Sequence, residues 1–204
     1  ERLEGYQREV EARLANFGAQ IVSAGLVDTA PAALRAGDLF IRENVDVLVC
    51  YVGTYATSSQ VLPAVQRVGR PVLVLNLQPT AALDYDNTDT AEWLANCCAC
   101  CVPEISNAFA RSRIAFNVVS GQLRDDPRAW GIIGDWIAAA GAVRALNRSR
   151  IGFLGHTYPG MLDMYSDFTM VQAQTGAHIE VLEMDDLQAR VEAVTPEQIE
   201  HKKR

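Results

Sequence analysis

The chain opens with a helical pattern, because apolar residues recur at three- and four-residue spacing between charged ones. These positions are Leu3, Tyr6, Val10 and Leu14, and Gly18 ends the pattern. A doubly wound α/β domain ordinarily begins with a strand, and this sequence has no initiating Met. We therefore expect that an N-terminal strand is missing and that the chain is part of a longer protein.

Short apolar runs then alternate with helical stretches. The runs are rich in Val, Ile and Leu and predict buried strands at 21–27, 45–52, 71–77, 114–119, 151–154 and 177–182. Residues typical of helix starts lie between them, namely Thr29 before Pro31, Thr57 with Gln60, Asp89 with Glu92, Asp126 before Pro127, and Asp167. This alternation predicts parallel strands covered by helices on both faces.

The predicted fold class is α/β, with a doubly wound parallel sheet of the Rossmann or flavodoxin-like type followed by the start of a second α/β domain. A long helix over 127–147 is expected to connect the two domains. The first domain is predicted at 1–147, without its first strand, and the second at 148–204, incomplete. Ligands of such sheets bind outside the carboxyl ends of the strands, which places the segments of interest at 53–59, 78–89, 120–126 and 155–167.

Composition, net charge and the lengths of the apolar runs exclude or disfavour several classes of protein. The 204 residues are 49% hydrophobic and 21% charged, which excludes a disordered chain. A net charge of -7, with basic residues grouped only at 201–204, disfavours nucleic acid as a partner. No apolar run approaches the roughly 18 residues of a membrane span, and no signal peptide opens the chain. We therefore expect a cytoplasmic protein with no membrane partner.

Four of the five cysteines lie between Cys97 and Cys101, which is unlike a disulfide framework. If 90–110 is helical around a break near Pro103, Cys97, Cys100 and Cys101 share a face while Cys98 points about 100° away. Four thiolates therefore cannot converge on one ion. The cysteines are interpreted as small core hydrophobes, with partial metal ligation together with another segment, or a reactive thiol lining a pocket, as alternatives.

Motifs for nucleotide, serine-hydrolase, zinc-protease and dinucleotide chemistry are absent from the sequence. The acidic run 84–89 lacks the Gly and Glu of a calcium loop and is interpreted as a solvated loop with a helix cap. His178 is interpreted as structural and His201 as part of a frayed terminus. His156 lies in the turn after the strand at 151–154, where a ligand-binding role and a structural turn remain alternatives.

The turn after the strand at 45–52 combines Gly53, the Thr54 hydroxyl, the Tyr55 ring and free N–H groups at a helix start. Aromatic faces pack against the apolar side of sugar rings, and hydroxyls and amides match their polar rim. The sequence therefore predicts a sugar-binding turn, with an ordinary capped βα turn as the alternative.

A longer stretch resembles a known family. The segment from Gly152 to Met161, followed by Asp167, Gly176 and 184–187, is similar to the stretch that opens the second domain of the L-arabinose/L-fucose isomerases. Weaker similarities precede it in the same order, at Thr54 and Tyr55, at 70–73 before Asn76 and Gln78, and from Leu83 to Asn96. The resemblance spans about residues 45–187.

The resemblance implies an aldose–ketose isomerase that uses a divalent metal, typically Mn²⁺, and forms a homo-oligomer, either a trimer or a hexamer. Its metal ligands, glutamates and histidines, are expected downstream of Arg204, so no metal site and no catalytic residue are expected within this chain. The part expected here is a share of the sugar pocket, formed by Tyr55, Thr54, His156, Tyr158 and Met161.

One departure from the family concerns the helix after Asn96. Cys97 and Cys100 stand where the arabinose enzymes have a Gln and a His, which removes polar contacts to the sugar and leaves fucose, galactose or another sugar open. Two other classes remain as alternatives. One is a non-catalytic sugar-binding protein of the periplasmic or repressor type, and the other is a regulatory or structural α/β module without a small ligand.

Overall fold

The computed structural model describes residues 2–203, which divide into two compact units, one up to Gly141 and one from Ala142. The first unit contains the helices α1 (Arg2–Asn16), α2 (Ala30–Arg42), α3 (Leu62–Val68), α4 (Thr90–Ala95), α5 (Cys98–Arg111) and most of α6 (Pro127–Asn147). Its strands are β1 (Leu48–Tyr51), β2 (Val72–Gln78) and β3 (Phe116–Gln122). The unit boundary falls within α6, and the predicted domain boundary at 147/148 stays a prediction.

The three strands form a parallel sheet in the order β1-β2-β3. The central strand β2 aligns Val72 with Leu48 on one side and with Phe116 on the other. Its side chains alternate between two cores, one shared with α1 and α6 and the other with α3 and α5. Helices therefore cover both faces, as expected for a parallel sheet whose strands are continuous apolar runs. The predicted α/β class with parallel strands is confirmed.

The predicted strand at 21–27 is wrong, because this segment has no regular secondary structure. Gly25 has a φ of +71°, outside the range of a strand, and its N–H donates to Ser23 Oγ at 3.2 Å. Ile21 and Leu26 are 36% and 51% exposed, so the apolar run is not buried as an inner strand would be. The backbone of this segment therefore turns at Gly25 and bonds to a nearby side chain instead of forming hydrogen bonds with a neighbouring strand.

The helix starts are confirmed by side-chain caps. Each capping oxygen accepts a backbone N–H three residues further on, as at Thr29 with Ala32 (3.3 Å), Asp89 with Glu92 (2.6 Å), Asp126 with Ala129 (2.9 Å) and Asp167 with Met170 (3.0 Å). The Thr57 N–H donates to Gln60 Oε1 at 2.9 Å, ahead of a short 3₁₀ turn, Ser58–Gln60. Capping residues were therefore reliable signals even where the strand pattern was not.

The second unit contains the parallel strands β4 (Arg150–Leu154) and β5 (His178–Leu182), in agreement with the predicted pair. Its helices are α7 (Phe168–Thr175), α8 (Met184–Glu192) and α9 (Pro196–Lys203), and a 3₁₀ turn lies at Leu162–Met164. Phe153 of β4 packs on Phe168 of α7, with the ring centroids 4.9 Å apart.

Between residues 2 and 203, no helix combines the length and apolar character that crossing a bilayer requires.

Candidate functional site at the carboxyl ends of β1 and β2

The loop that follows β1 is hydrogen-bonded to α4 and α5, the helices that follow β2. Thr54 Oγ1 donates to the Leu94 carbonyl at 3.4 Å, and the Ala56 N–H donates to Cys101 Sγ at 3.3 Å. The Ser58 N–H donates to Glu104 Oε2 at 2.8 Å. The carboxyl ends of parallel strands share one edge of the sheet, which brings this loop and the α4–α5 junction together.

Tyr55 lies between two of these hydrogen-bonded positions, yet the residue is 57% exposed. Its backbone is therefore positioned by Thr54 and Ala56 while the ring face stays available to a ligand. An aromatic ring held at its base presents apolar area with only two side-chain torsions to order. This geometry suits contact with the apolar face of a sugar ring.

Asn96 links the junction of α4 and α5 to the loop after β2. It is 9% exposed, and its Oδ1 accepts from Thr80 Oγ1 at 2.8 Å and from the Thr80 N–H at 3.3 Å. Its Nδ2 donates to the Glu92 carbonyl at 3.0 Å. With both ends of the amide satisfied inside the protein, Asn96 positions the loop rather than offering groups to a ligand.

Asn76 places a second amide near the end of β2. Its Nδ2 donates to Ser120 Oγ at 2.8 Å, whereas its Oδ1 is buried and accepts no hydrogen bond from residues 2–203. A buried acceptor without a partner costs about 1–3 kcal/mol, and a donor from water or from a ligand hydroxyl would offset that cost. The sequence signal for this site is the single amide that interrupts the apolar run 72–77.

The cysteines divide as the helical geometry predicted. The sulfur atoms of Cys97 and Cys100 lie 3.0 Å apart and those of Cys100 and Cys101 lie 3.8 Å apart, whereas Cys98 is fully buried and belongs to the core shared by β2 and α5. The helix break, however, is not near Pro103, which lies inside α5. It falls between α4 and α5, where the Asn96 amide bonds to the Glu92 carbonyl and to Thr80 and so ends α4.

The pKa values of three of these thiols, those of Cys97, Cys98 and Cys101, are raised. The hydrogen bond with Cys100, followed by burial, raises the pKa of Cys97 to about 12. Burial is the largest cause that raises the pKa of Cys101 and also that of Cys98. A reactive cysteine requires a thiolate, so neither Cys97 nor Cys101 has the character of a nucleophile in the metal-free protein.

The residues described here do not suit Mn²⁺. Within 2–203, the one group of three metal-ligating side chains with ligand atoms inside 4.8 Å of one another is Cys97, Cys100 and Cys101. Mn²⁺ prefers oxygen and nitrogen ligands, whereas thiolates select softer ions. The expectation that Mn²⁺ ligands lie downstream of Arg204 stays a prediction.

In the second unit, His156 lines a small open cavity of about 250 Å³. The other lining residues are Phe153, Thr157, Tyr165, Ser166 and Phe168. Tyr158 and Met161 are 64% and 51% exposed and lie outside this lining. Tyr165 was missed from the sequence; its hydroxyl accepts the Gly160 N–H at 3.3 Å and so fixes the turn.

The five predicted pocket residues therefore fall into two groups. Thr54 and Tyr55 belong to the first unit, and His156, Tyr158 and Met161 belong to the second. A shared role in one sugar pocket stays a prediction for all five.

Comparison with known proteins gives one informative similarity. No family model matches the chain. The L-arabinose isomerase of Aeromonas salmonicida (strain A449) is 25% identical to it over 153 residues, which are 75% of this chain and 30% of that protein. The chain thus spans less than a third of that relative's length. Similarity at this level supports a relationship with that enzyme without establishing membership of its family.

Proposed function

We propose that this chain supplies part of the sugar-binding surface of a metal-dependent aldose–ketose isomerase related to the L-arabinose isomerases. The observation that carries the proposal is the Tyr55 ring, exposed at the carboxyl end of β1 on a backbone fastened at Thr54 and Ala56. The partial similarity to an L-arabinose isomerase supports the same class of ligand. The three-stranded sheet is inferred to be part of a doubly wound, Rossmann-like sheet.

The proposed role of these residues is to bind and orient the sugar. Tyr55 packs on the apolar ring face, and the buried Asn76 Oδ1 accepts from a sugar hydroxyl or from a water that the sugar holds. In the second unit, His156, Tyr158 and Met161 are proposed as substrate-binding residues.

The proposal includes a homo-oligomer in the cytoplasm, a trimer or a hexamer. Ile151 and Val181 on the paired strands of the second unit are 43% and 57% exposed and offer apolar area for contact with another subunit. Light scattering on the longest natural form of the protein tests this, and a monomer at micromolar concentration would contradict it.

Activity is tested by incubating the longest natural form of the protein with Mn²⁺ and a panel of aldoses, including L-arabinose, L-fucose and D-galactose. We expect ketose formation from at least one of them. Tyr55→Ala should raise KM about tenfold, the effect of losing one aromatic contact. Phe17→Ala, which removes an aromatic residue that is 42% exposed and lies outside the loops after β1 and β2, is the matched control and should leave KM unchanged.

Two results decide against this proposal. Sugar binding without turnover, in protein loaded with metal, would favour the non-catalytic sugar-binding class. Neither binding nor turnover with any aldose would favour a regulatory or structural α/β module, in which the loop after β1 is an ordinary capped turn.

A further inference from the structure

Three sulfur atoms converge where α4 meets α5. The separations are 3.0 Å from Cys97 to Cys100 and 3.8 Å from Cys100 to Cys101, and all three sulfur atoms lie within 4.8 Å of one another. Thiolates on one tetrahedral ion with metal–sulfur bonds of about 2.3 Å are separated by roughly 3.7 Å. Side-chain shifts of about an ångström or less would therefore place all three sulfur atoms within bonding distance of one ion.

The backbone around the cluster favours negative charge on sulfur. Cys97 is the N-cap of α5, a helix of 14 residues, and Cys100 lies in the first turn. The amino end of a helix carries partial positive charge, which stabilises thiolates. The Ala56 N–H donates to Cys101 Sγ at 3.3 Å from a different segment, and such N–H to sulfur bonds favour the thiolate form.

In the metal-free cluster the hydrogen bond with Cys100 is the largest cause that raises the pKa of Cys97. A bound cation that accepts sulfur displaces the thiol protons, because metal ligation requires thiolates.

We propose that Cys97, Cys100 and Cys101 form a binding site for a thiophilic d¹⁰ cation, Zn²⁺ or Cu⁺. Three metal–sulfur bonds form, the three thiol protons pass to solvent, and no electron is transferred. Cys100 is exposed, so a fourth position on Zn²⁺ faces solvent and takes a water, whereas Cu⁺ is satisfied by three sulfur ligands. Cys98 and Cys50 take no part.

The ion would lie next to the loop that carries Tyr55. Cys101 already accepts the Ala56 N–H, and Thr54 is bonded to the Leu94 carbonyl of α4. Fixing the three sulfur atoms on one ion would fix both contacts of this loop. Metal binding should therefore lower amide hydrogen exchange at 54–56, a consequence that does not depend on sugar binding.

The test is a metal titration of the whole chain, reduced with a phosphine and kept free of oxygen. Co²⁺ serves as the optical probe, since thiolate coordination gives intense sulfur-to-cobalt absorption. We expect one Co²⁺ per chain, displacement by one Zn²⁺, and proton release during binding. In a separate arm, Cu⁺ is offered from a competing chelator, and the ion that binds more tightly identifies the occupant.

Cys100→Ser is the decisive variant, because this exposed position leaves the core intact. It should weaken binding by more than about 100-fold, the upper end of what losing an outer contact costs. Cys50→Ala is the matched control and should bind as the unaltered chain does. Circular dichroism of both variants separates loss of a ligand from loss of the fold.

Three outcomes would overturn the proposal. The first is absence of sulfur-to-cobalt absorption and of Cu⁺ uptake in the reduced chain. The second is equal affinity in Cys100→Ser and the unaltered chain. The third is a Cys97–Cys100 disulfide formed with oxidised glutathione by a chain that binds neither ion, which would make the pair a redox dithiol instead.

Discussion

At the scale of single residues, Gly121 shows how closely the end of β3 packs on the start of α6. A Cβ at this position would meet the Asp126 carboxylate and would lie 2.7 Å from the Ala129 Cβ. Asp126 cannot move away freely, because it accepts N–H groups from Ala129 at 2.9 Å and from Gln122 at 3.0 Å. These backbone hydrogen bonds lower the pKa of Asp126.

Gly121→Ala should therefore lower the free energy of unfolding by about 1–3 kcal/mol, the usual cost of overpacking. Urea denaturation followed by circular dichroism measures this change. Gly131→Ala in α6 is the matched control, since a Cβ there meets nothing within 4 Å and alanine favours a helix. Equal stability of the two variants would contradict the packing described.

A second feature at the scale of single residues is the Glu9 carboxylate, which pairs with two arginines. Its carboxylate accepts from Arg124 Nη2 at 2.7 Å and from Arg13 at 3.2 Å, and the hydrogen bond from Arg124 is the largest cause that lowers the pKa of Glu9. A lowered pKa in the folded state means that the ionised carboxylate contributes stability near neutral pH. That stability is lost as the pH falls through the folded-state pKa.

Glu9→Gln should accordingly reduce stability at pH 7, and the difference from the unaltered chain should shrink as the pH falls below the ordinary range of a glutamate. Unfolding free energies measured across an acid series show this trend. Glu43→Gln, at an exposed pair with its neighbour Arg42, serves as the control with a smaller effect. A difference independent of pH would show that Glu9 acts through packing alone.

At the scale of elements, helix boundaries were predictable where a single side chain forms the cap. Asp89 and Asp126 are such caps, and local sequence carries all the information they need. The irregular segment 21–27 was not predictable from its apolar pattern, because pairing depends on a neighbouring strand that the pattern does not contain. The Asn96 break was missed for a similar reason, since its partner Thr80 lies 16 residues away.

The Asn96–Thr80 contact should be measurable as a coupling between two elements. Asn96→Ala removes hydrogen bonds to Thr80 and to the Glu92 carbonyl and should cost about 1–3 kcal/mol of stability. Thr80→Val should cost less, and the double variant should lose less than the sum of the two. Strict additivity in a double-mutant cycle would show that the contact does not hold the α4–α5 junction.

At the scale of the whole molecule, the division into two units limits what the sequence predicted about the site. The sequence placed Tyr55 and His156 in loops at the carboxyl ends of strands, and each does follow a parallel strand. It could not show that Tyr55 stands on a backbone fixed by Cys101 and Leu94, because those contacts join segments about 40 residues apart. The sequence singled out Asn76 as part of the resemblance but could not show that its Oδ1 is buried without a partner, and Tyr165 emerged only from three-dimensional contacts.

The central claim is that the loop after β1 binds a sugar. The most direct test is to titrate the ¹⁵N-labelled chain with L-arabinose, L-fucose and D-galactose and to record the amide signals by NMR. We predict that at least one sugar shifts the amide signals of 54–56, that Tyr55→Ala abolishes the shifts, and that Phe17→Ala, outside the loops after β1 and β2, retains them. Absence of shifts for every sugar, or equal shifts in Tyr55→Ala, would contradict the account.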